Sequence, residues 1–290
     1  MLKARDIKRR IRSIQNMMQI TRAMKMVSAA KLRRAQEKMF AARPYANMML
    51  EVLNSLAARA HPGSHPLLAQ RGEKKIEVVI ITADKGLCGS FNSNIQRAAI
   101  SFLGKKRECG TSLYLVGKKG RDFFRKRDHT VRREVIDLSR EVKYEHASRI
   151  ANDLMELFIS GETDAIYLIY NEFKSTARQQ IVEELLLPIK RMEAEPGTVL
   201  EDYIYEPSAA ELFADLLPRH VVTQVYRALL ESVAAEHTAR MMAMDAATSN
   251  AQEMIDALTL QMNRVRQSSI TTELIEIVYG AEALRRGGSR

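Results

Sequence analysis

The chain has no tryptophan, two cysteines in 290 residues and only 6% aromatics. Cys88 and Cys109 alone cannot build a disulfide framework or a cysteine-based zinc site, and their scarcity fits a reducing compartment. No apolar run approaches the roughly eighteen residues of a membrane span, and the apolar stretch of a secretory signal is missing, so the chain is expected to stay in the compartment where it is made. Paired carboxylates, Ser/His/Asp sets and Cys/His pairs at a spacing that would join them locally are also missing, which leaves catalysis without a visible home. His61 and His65 are four apart, but the segment His61-Pro62-Gly63-Ser64-His65-Pro66 offers no third ligand and reads as a solvated linker. No metal and no cofactor is expected.

The composition that remains, 46% hydrophobic and 28% charged, is that of a folded chain with room for two structural units. Most of the fifteen methionines crowd into the two ends, where their flexible side chains suit irregular contacts. Residues 209 to 285 carry a helical pattern in which Val233, His237, Met241, Met244, Thr248, Ala251, Ile255, Leu258, Met262, Val265 and Ser269 recur at steps of three and four, the spacing of a coiled-coil seam. Consecutive steps of four at Val233, His237 and Met241 break the strict heptad and should unwind the supercoil locally. Helix from Arg219 to Leu284 would measure roughly 100 Å, with the approach to it passing through Pro207 and Pro218. Residues 2 to 58 read as a second helix, with one seam at Ile7, Ile11, Ile14 and Met18 and its resumption at Leu32, Ala35, Met39 and Ala42. Between these seams Met17, Ile20, Met24, Met26 and Val27 place apolar side chains on several faces, and Pro44 should kink the helix.

The net charge of +10 is unevenly spread. Residues 1 to 59 hold fourteen Lys/Arg against three acids, whereas residues 209 to 286 hold ten acids against seven arginines. The basic helix lacks interleaved aromatics and has an acidic counterpart in the same chain, so pairing of the two ends is favoured over nucleic acid.

Between the ends the period changes. Ile76 to Thr82, Leu113 to Val116 and Ala165 to Tyr170 read as buried strands, with Ile181 to Leu187 as an edge strand ending at Pro188. Helical faces at Ile95, Ala98, Ala99, Phe102 and Leu103, and at Ile150, Leu154, Leu157 and Phe158, alternate with them, which implies a mostly parallel α/β sheet. Ordered structure is expected again near Tyr203 to Tyr205. The loop Asp84 to Asn92 follows the first strand, where α/β enzymes hold phosphates, yet neither GxGxxG nor GxxxxGK[ST] is present. A strand-to-helix turn capped by Asn92 or Ser93 is the preferred reading, and Cys88 reads better as a small packed side chain than as a reactive thiol. A nucleotide-binding α/β enzyme with a helical oligomerisation arm is the alternative class.

Four separated motifs resemble one family: Asp6-Ile7-Lys8-Arg9-Arg10-Ile11, Ile20-Thr21-Arg22-Ala23-Met24-Lys25-Met26-Val27, Ile81 through Asn92, and Arg264 through Leu274 with Glu276-Ile277-Val278. They are similar, in this order and across nearly the whole chain, to the gamma subunit of the F-type ATP synthase. The resemblance implies an N-terminal shaft helix (1–59), a linker (60–74), a central Rossmann-like α/β domain (75–207) and a C-terminal shaft helix (208–290), the two helices forming a long antiparallel coiled coil. It implies a non-catalytic rotor inside a hexamer of alpha and beta subunits, with the epsilon subunit and the membrane ring of proton-carrying c subunits as further partners. It places the chain peripherally on the cytoplasmic face of a bacterial inner membrane, without insertion. Carried over by motif, Met24, Arg240, Arg266, Gln267, Thr271 and Glu273 face the catalytic subunits; a solvated coiled-coil flank is the other reading of Arg240 and Arg266. Tyr279 is bulky where the family usually has a small residue, and Arg285 to Arg290 extends the tip.

Overall fold

The computed structural model describes residues 4–57, 65–138, 141–175, 179–189 and 208–287. Residues 60–64 of the expected linker, the segment Tyr203 to Tyr205, and residues 288–290 of the tail lie outside the described residues. The elements in order are α1 (Ala4–Ala57), β1 (Lys75–Ile81), α2 (Phe91–Lys105), β2 (Gly110–Val116), α3 (Lys118–Phe124), β3 (Thr130–Val135), α4 (Tyr144–Ile159), β4 (Ala165–Phe173), β5 (Gln179–Leu187) and α5 (Ala209–Gly287). They group into two compact units, one of residues 1–27 with 241–290 and one of residues 28–240.

In the larger unit a five-stranded sheet has the order β3-β2-β1-β4-β5. β1 pairs in parallel with β2 and β4, β2 in parallel with β3, and β5 closes the edge antiparallel to β4. β1 is buried on both faces, which is why its sequence KIEVVII is a nearly continuous apolar run. Ile76, Val78 and Ile80 pack toward Ile95, Ala99 and Phe102 of α2. Val79 and Ile81 belong to a second core with Ile150, Leu154 and Phe158 of α4, Leu217 to Leu230 of α5, and Met49 and Leu53 of α1. The long helices therefore supply one layer of this unit's core.

α1 is one helix with Pro44 inside it, as the sequence reading has it. Three sequence expectations are corrected. α5 starts at Ala209, with Pro218 inside it: Ser208 Oγ accepts from the Glu211 N–H at 3.2 Å, half of a Ser-x-x-Glu capping box. Pro66–Leu68 forms a single 3-10 turn, and His65 caps it by accepting from the Leu67 N–H at 3.2 Å. α3 and β3 were not anticipated.

In the smaller unit Ile7, Ile11 and Ile255 are buried together, with Ile14, Met18, Leu258, Met262 and Val265 half-buried around them. Thr21 and Thr248 share a hydrogen bond at 2.7 Å, and Lys25 Nζ donates to Asp245 Oδ1 at 2.6 Å. A later residue of α1 thus meets an earlier residue of α5, so the helices pair antiparallel. The charge pair is half-exposed and sets orientation more than stability.

Candidate functional site

Two groups of residues stand out, one in each unit. In the smaller unit the seam of α5 is buried or half-buried as far as Val265, and every residue from Arg266 to Ala281 is exposed. Ile270, Leu274, Ile275, Ile277, Val278 and Tyr279 are each between 48% and 73% exposed. They fall on more than one helix face, so no single partner helix would cover them. An exposed apolar surface of this kind marks a contact with other proteins. Arg266, Gln267, Thr271 and Glu273 lie on this stretch, where the Thr271 hydroxyl donates to the Gln267 carbonyl at 2.9 Å. Met24 is half-buried on α1, next to the Lys25–Asp245 pair. Met17, Ile20, Met26 and Val27 around it are exposed, as expected for a helix whose apolar residues are not confined to one face.

Arg240 is elsewhere, in the larger unit, and it is not a solvated flank: it is 8% exposed. Its Nη2 donates to Glu236 Oε1 at 2.8 Å and to the Gly86 carbonyl at 3.2 Å, with Lys85 O at 3.5 Å and a second approach of Nε to Gly86 O at 3.4 Å. Nη1 lies 3.3 Å from His237 Nδ1, and because a guanidinium only donates, that nitrogen must accept and the imidazole is neutral. Burial, then the charges of Arg240 and Lys31, brings the His237 pKa down to about 4. Burial pushes the Glu236 carboxyl up, against the pull of Arg240. Glu236 escaped the sequence reading and His237 entered it only as a seam position, although Glu236 and Arg240 have the helical spacing of an ion pair.

The turn that Arg240 grips is the Asp84–Asn92 loop. Asn92 is not the helix cap. It sits in the first turn of α2, where its Oδ1 accepts from the Ala83 N–H at 3.0 Å and its Nδ2 donates to Cys88 Sγ at 3.1 Å. Cys88 is a buried, packed thiol whose pKa is raised by burial. A phosphate cradle needs backbone N–H groups aimed outward. Here the carbonyls of Lys85 and Gly86 face Arg240, and the first N–H groups of α3 are already taken: Lys118 by Asp84 Oδ1, Lys119 by the Ala83 carbonyl, Gly120 by Thr82 Oγ1. Gly117, at φ 95°, makes this closeness possible, since a Cβ there would lie 2.1 Å from the Thr82 carbonyl oxygen. Among the described residues no three His, Cys, Asp or Glu side chains gather as a metal site would require.

A family model described as ATP synthase matches residues 3–284. The "ATP synthase gamma chain" of Solibacter usitatus is 53% identical over 283 residues, 96% of this chain and 98% of that one. The chain belongs to the ATP synthase gamma-chain family. A chain from the central stalk and c-ring structure of the Tetrahymena thermophila mitochondrial ATP synthase is 27% identical, with a TM-score of 0.61 over 79% of this chain and 99% of that one. A chain of the Euglena gracilis mitochondrial ATP synthase, at 19% identity, shares the fold over 99% of this chain and 96% of its own with a TM-score of 0.69. The gamma-chain relationship accounts for the two long helices and the sheet in one molecule, and it leaves the nucleotide-enzyme alternative without support.

Proposed function

We propose that this gamma chain is the rotor shaft of a proton-translocating F-type ATP synthase, itself non-catalytic, coupling rotation of a membrane c-ring to ATP synthesis and hydrolysis in an alpha–beta hexamer. The observation that carries the reading is the exposed stretch of α5 from Arg266 to Ala281, with apolar residues on several faces. Such a helix is stable in water only if other subunits surround it, and a ring of alternating subunits does so without a fixed register. Met24, Arg266, Gln267, Thr271 and Glu273 are then contacts with the catalytic subunits, and Arg240 supports such a contact from inside the chain. The epsilon subunit and the c-ring bind elsewhere on the chain. The complex sits on the cytoplasmic face of a bacterial inner membrane, with this chain peripheral. No described helix is long and apolar enough to cross a membrane.

A photo-crosslinking amino acid at Leu274 in the assembled complex tests the reading. Adducts to alpha or beta subunits are expected, with ATP hydrolysis falling in proportion to their yield. Adducts to neither, or hydrolysis that continues in the crosslinked fraction, would overturn it.

A further inference from the structure

The turn after β1 carries an unusual residue at its tip. Leu87 adopts φ 61° and is 65% exposed. A leucine in the left-handed region is strained, and it persists only where surrounding contacts over-determine the backbone. The base of the turn is secured from its own neighbourhood: Asn92 ties Ala83 to Cys88, and the Asp84 carboxylate accepts from the Lys118 N–H at 3.0 Å. The carbonyls just before Leu87 are held differently. Those of Lys85 and Gly86 receive the guanidinium of Arg240, which arrives from a helix more than 150 positions later in the chain. Arg240 is in turn aimed by Glu236 at 2.8 Å and by the neutral His237 at 3.3 Å.

We propose that Arg240 is a positioning residue that pins the Lys85–Leu87 turn to α5, so that the turn and this part of α5 bear load as one body. Three features of the arginine suit the task. Its planar fork spans two successive carbonyls and the Glu236 carboxylate at once, which a lysine cannot do. Its charge strengthens each of these bonds in a buried setting. Its aim is fixed from within α5, so a displacement of the helix at residues 236–240 is passed to the turn without slack. The exposed side chains of Lys85 and Leu87 are thereby presented in one fixed orientation. The pin itself rests on the contacts above, and its use in carrying load rests on the shaft reading.

Hydrogen exchange on the full chain tests the pin. Arg240→Lys keeps a charge for Glu236 and removes the fork, so exchange in residues 84–92 should rise about tenfold, the effect of losing a net charge-assisted hydrogen bond, while residues 76–81 of β1 stay at the wild-type rate. Leu87→Gly relieves the strain that the pin restrains, and in that background Arg240→Lys should have a smaller effect. An unchanged turn in Arg240→Lys, or a turn and β1 that accelerate together, would overturn the pin. In vesicles carrying the assembled complex, Arg240→Lys should lower the ratio of protons pumped to ATP hydrolysed. An unchanged ratio alongside a loosened turn would overturn the load-bearing role, while leaving intact the shaft reading that the Leu274 crosslink tests separately.

Discussion

Glu77 is the group whose environment makes the sharpest demand on the sheet. Its side chain is 0% exposed on the central strand β1, and only one of its oxygens is satisfied. Oε2 accepts from the Ser112 hydroxyl and from Arg132 Nε at 2.9 Å, while Oε1 has no partner. The arginine reaches it because of a register shift. Leu113 pairs with Val131 and Tyr114 with Arg133, so Arg132 is the extra residue of a bulge on β3 and its side chain is re-aimed inward. Its other arm donates to Glu162 at 2.6 Å, near the surface. Burial pushes the Glu77 carboxyl up, and Ser112 and Arg132 pull against it.

The two partners should therefore respond unequally to mutation. Arg132→Ala leaves a carboxylate buried without its counter-charge, which costs about 3–5 kcal/mol for a fully dry pair. Arg132 is 31% exposed, so water already screens it and about 3 kcal/mol at neutral pH is expected. Glu77→Gln removes the buried charge and leaves Arg132 with Glu162 and solvent, so it should cost about 1 kcal/mol or less. The sign with pH follows from the raised folded-state value. Near pH 4 the carboxyl is protonated in both states and the Arg132→Ala deficit is small. As pH rises past the ordinary value near 4.5 the unfolded chain ionises first and the stability of both proteins falls alike; the deficit opens once the folded wild-type carboxyl ionises and grows until that of Arg132→Ala, deprived of its counter-charge, has ionised too. Urea titrations between pH 4 and 8, followed by the near-ultraviolet signal of the buried Tyr114 and Tyr170, would measure this in a chain without tryptophan. A deficit independent of pH, or a Glu77→Gln variant weaker than Arg132→Ala, would refute the reasoning.

What was legible in the sequence was whatever depends on local spacing. The α5 positions from Val233 to Val265 that recur at steps of three and four are all buried or half-buried, because a helix that pairs along its length must repeat its apolar face. The same spacing continues to Ser269, which is exposed, since periodicity records a face and not whether the covering residues belong to the same chain. β3 was missed because its bulge puts Arg132 and Arg133 in succession and erases the alternation that betrays a strand. α3 has only seven residues, too few for a helical period to show. The helical pattern from residue 209 is legible, but Pro218 reads as a boundary that shortens the rod to Arg219, although Ser208 and Glu211 have the spacing of a cap. Arg240 was misjudged for a different reason. Nothing near it in sequence predicts burial, and the turn that buries it follows the sheet's first strand, 154 positions earlier in the chain. Unlike the loss of a charge from a solvated flank, Arg240→Ala would leave the Glu236 carboxylate buried and unpaired.

In the smaller unit Ile7 is 1% exposed, so Ile7→Ala should cost about 2–5 kcal/mol, read as faster exchange in residues 4–18 and 255–265 with the sheet unaffected. His220 and His237 are buried with pKa values brought down to about 4, mainly by burial. The unfolded chain therefore binds protons that the folded chain refuses, and stability should fall as pH drops from 6.5 toward 4, at up to about 1.4 kcal/mol per pH unit for each histidine; His220→Gln should flatten that slope in acid titrations, and an unchanged slope would show that the histidine is not the group responsible. The last contrast separates the stiffness of α5 from its surface charges. Met254 is exposed between the buried Ala251 and Ile255, so a proline there disturbs the backbone and little else, removing one helical hydrogen bond, clashing with the preceding turn and costing about 3 kcal/mol. Arg266 is exposed, and an isolated exposed charge contributes about 0–1 kcal/mol to any one contact. Proton-driven ATP synthesis in membrane vesicles, with assembly checked in parallel, should therefore be lost in Met254→Pro and largely kept in Arg266→Ala. Robust synthesis by the proline variant would mean that torque does not pass through an unbroken α5, and loss in the arginine variant would mean that a single charge carries what has been assigned to the rod.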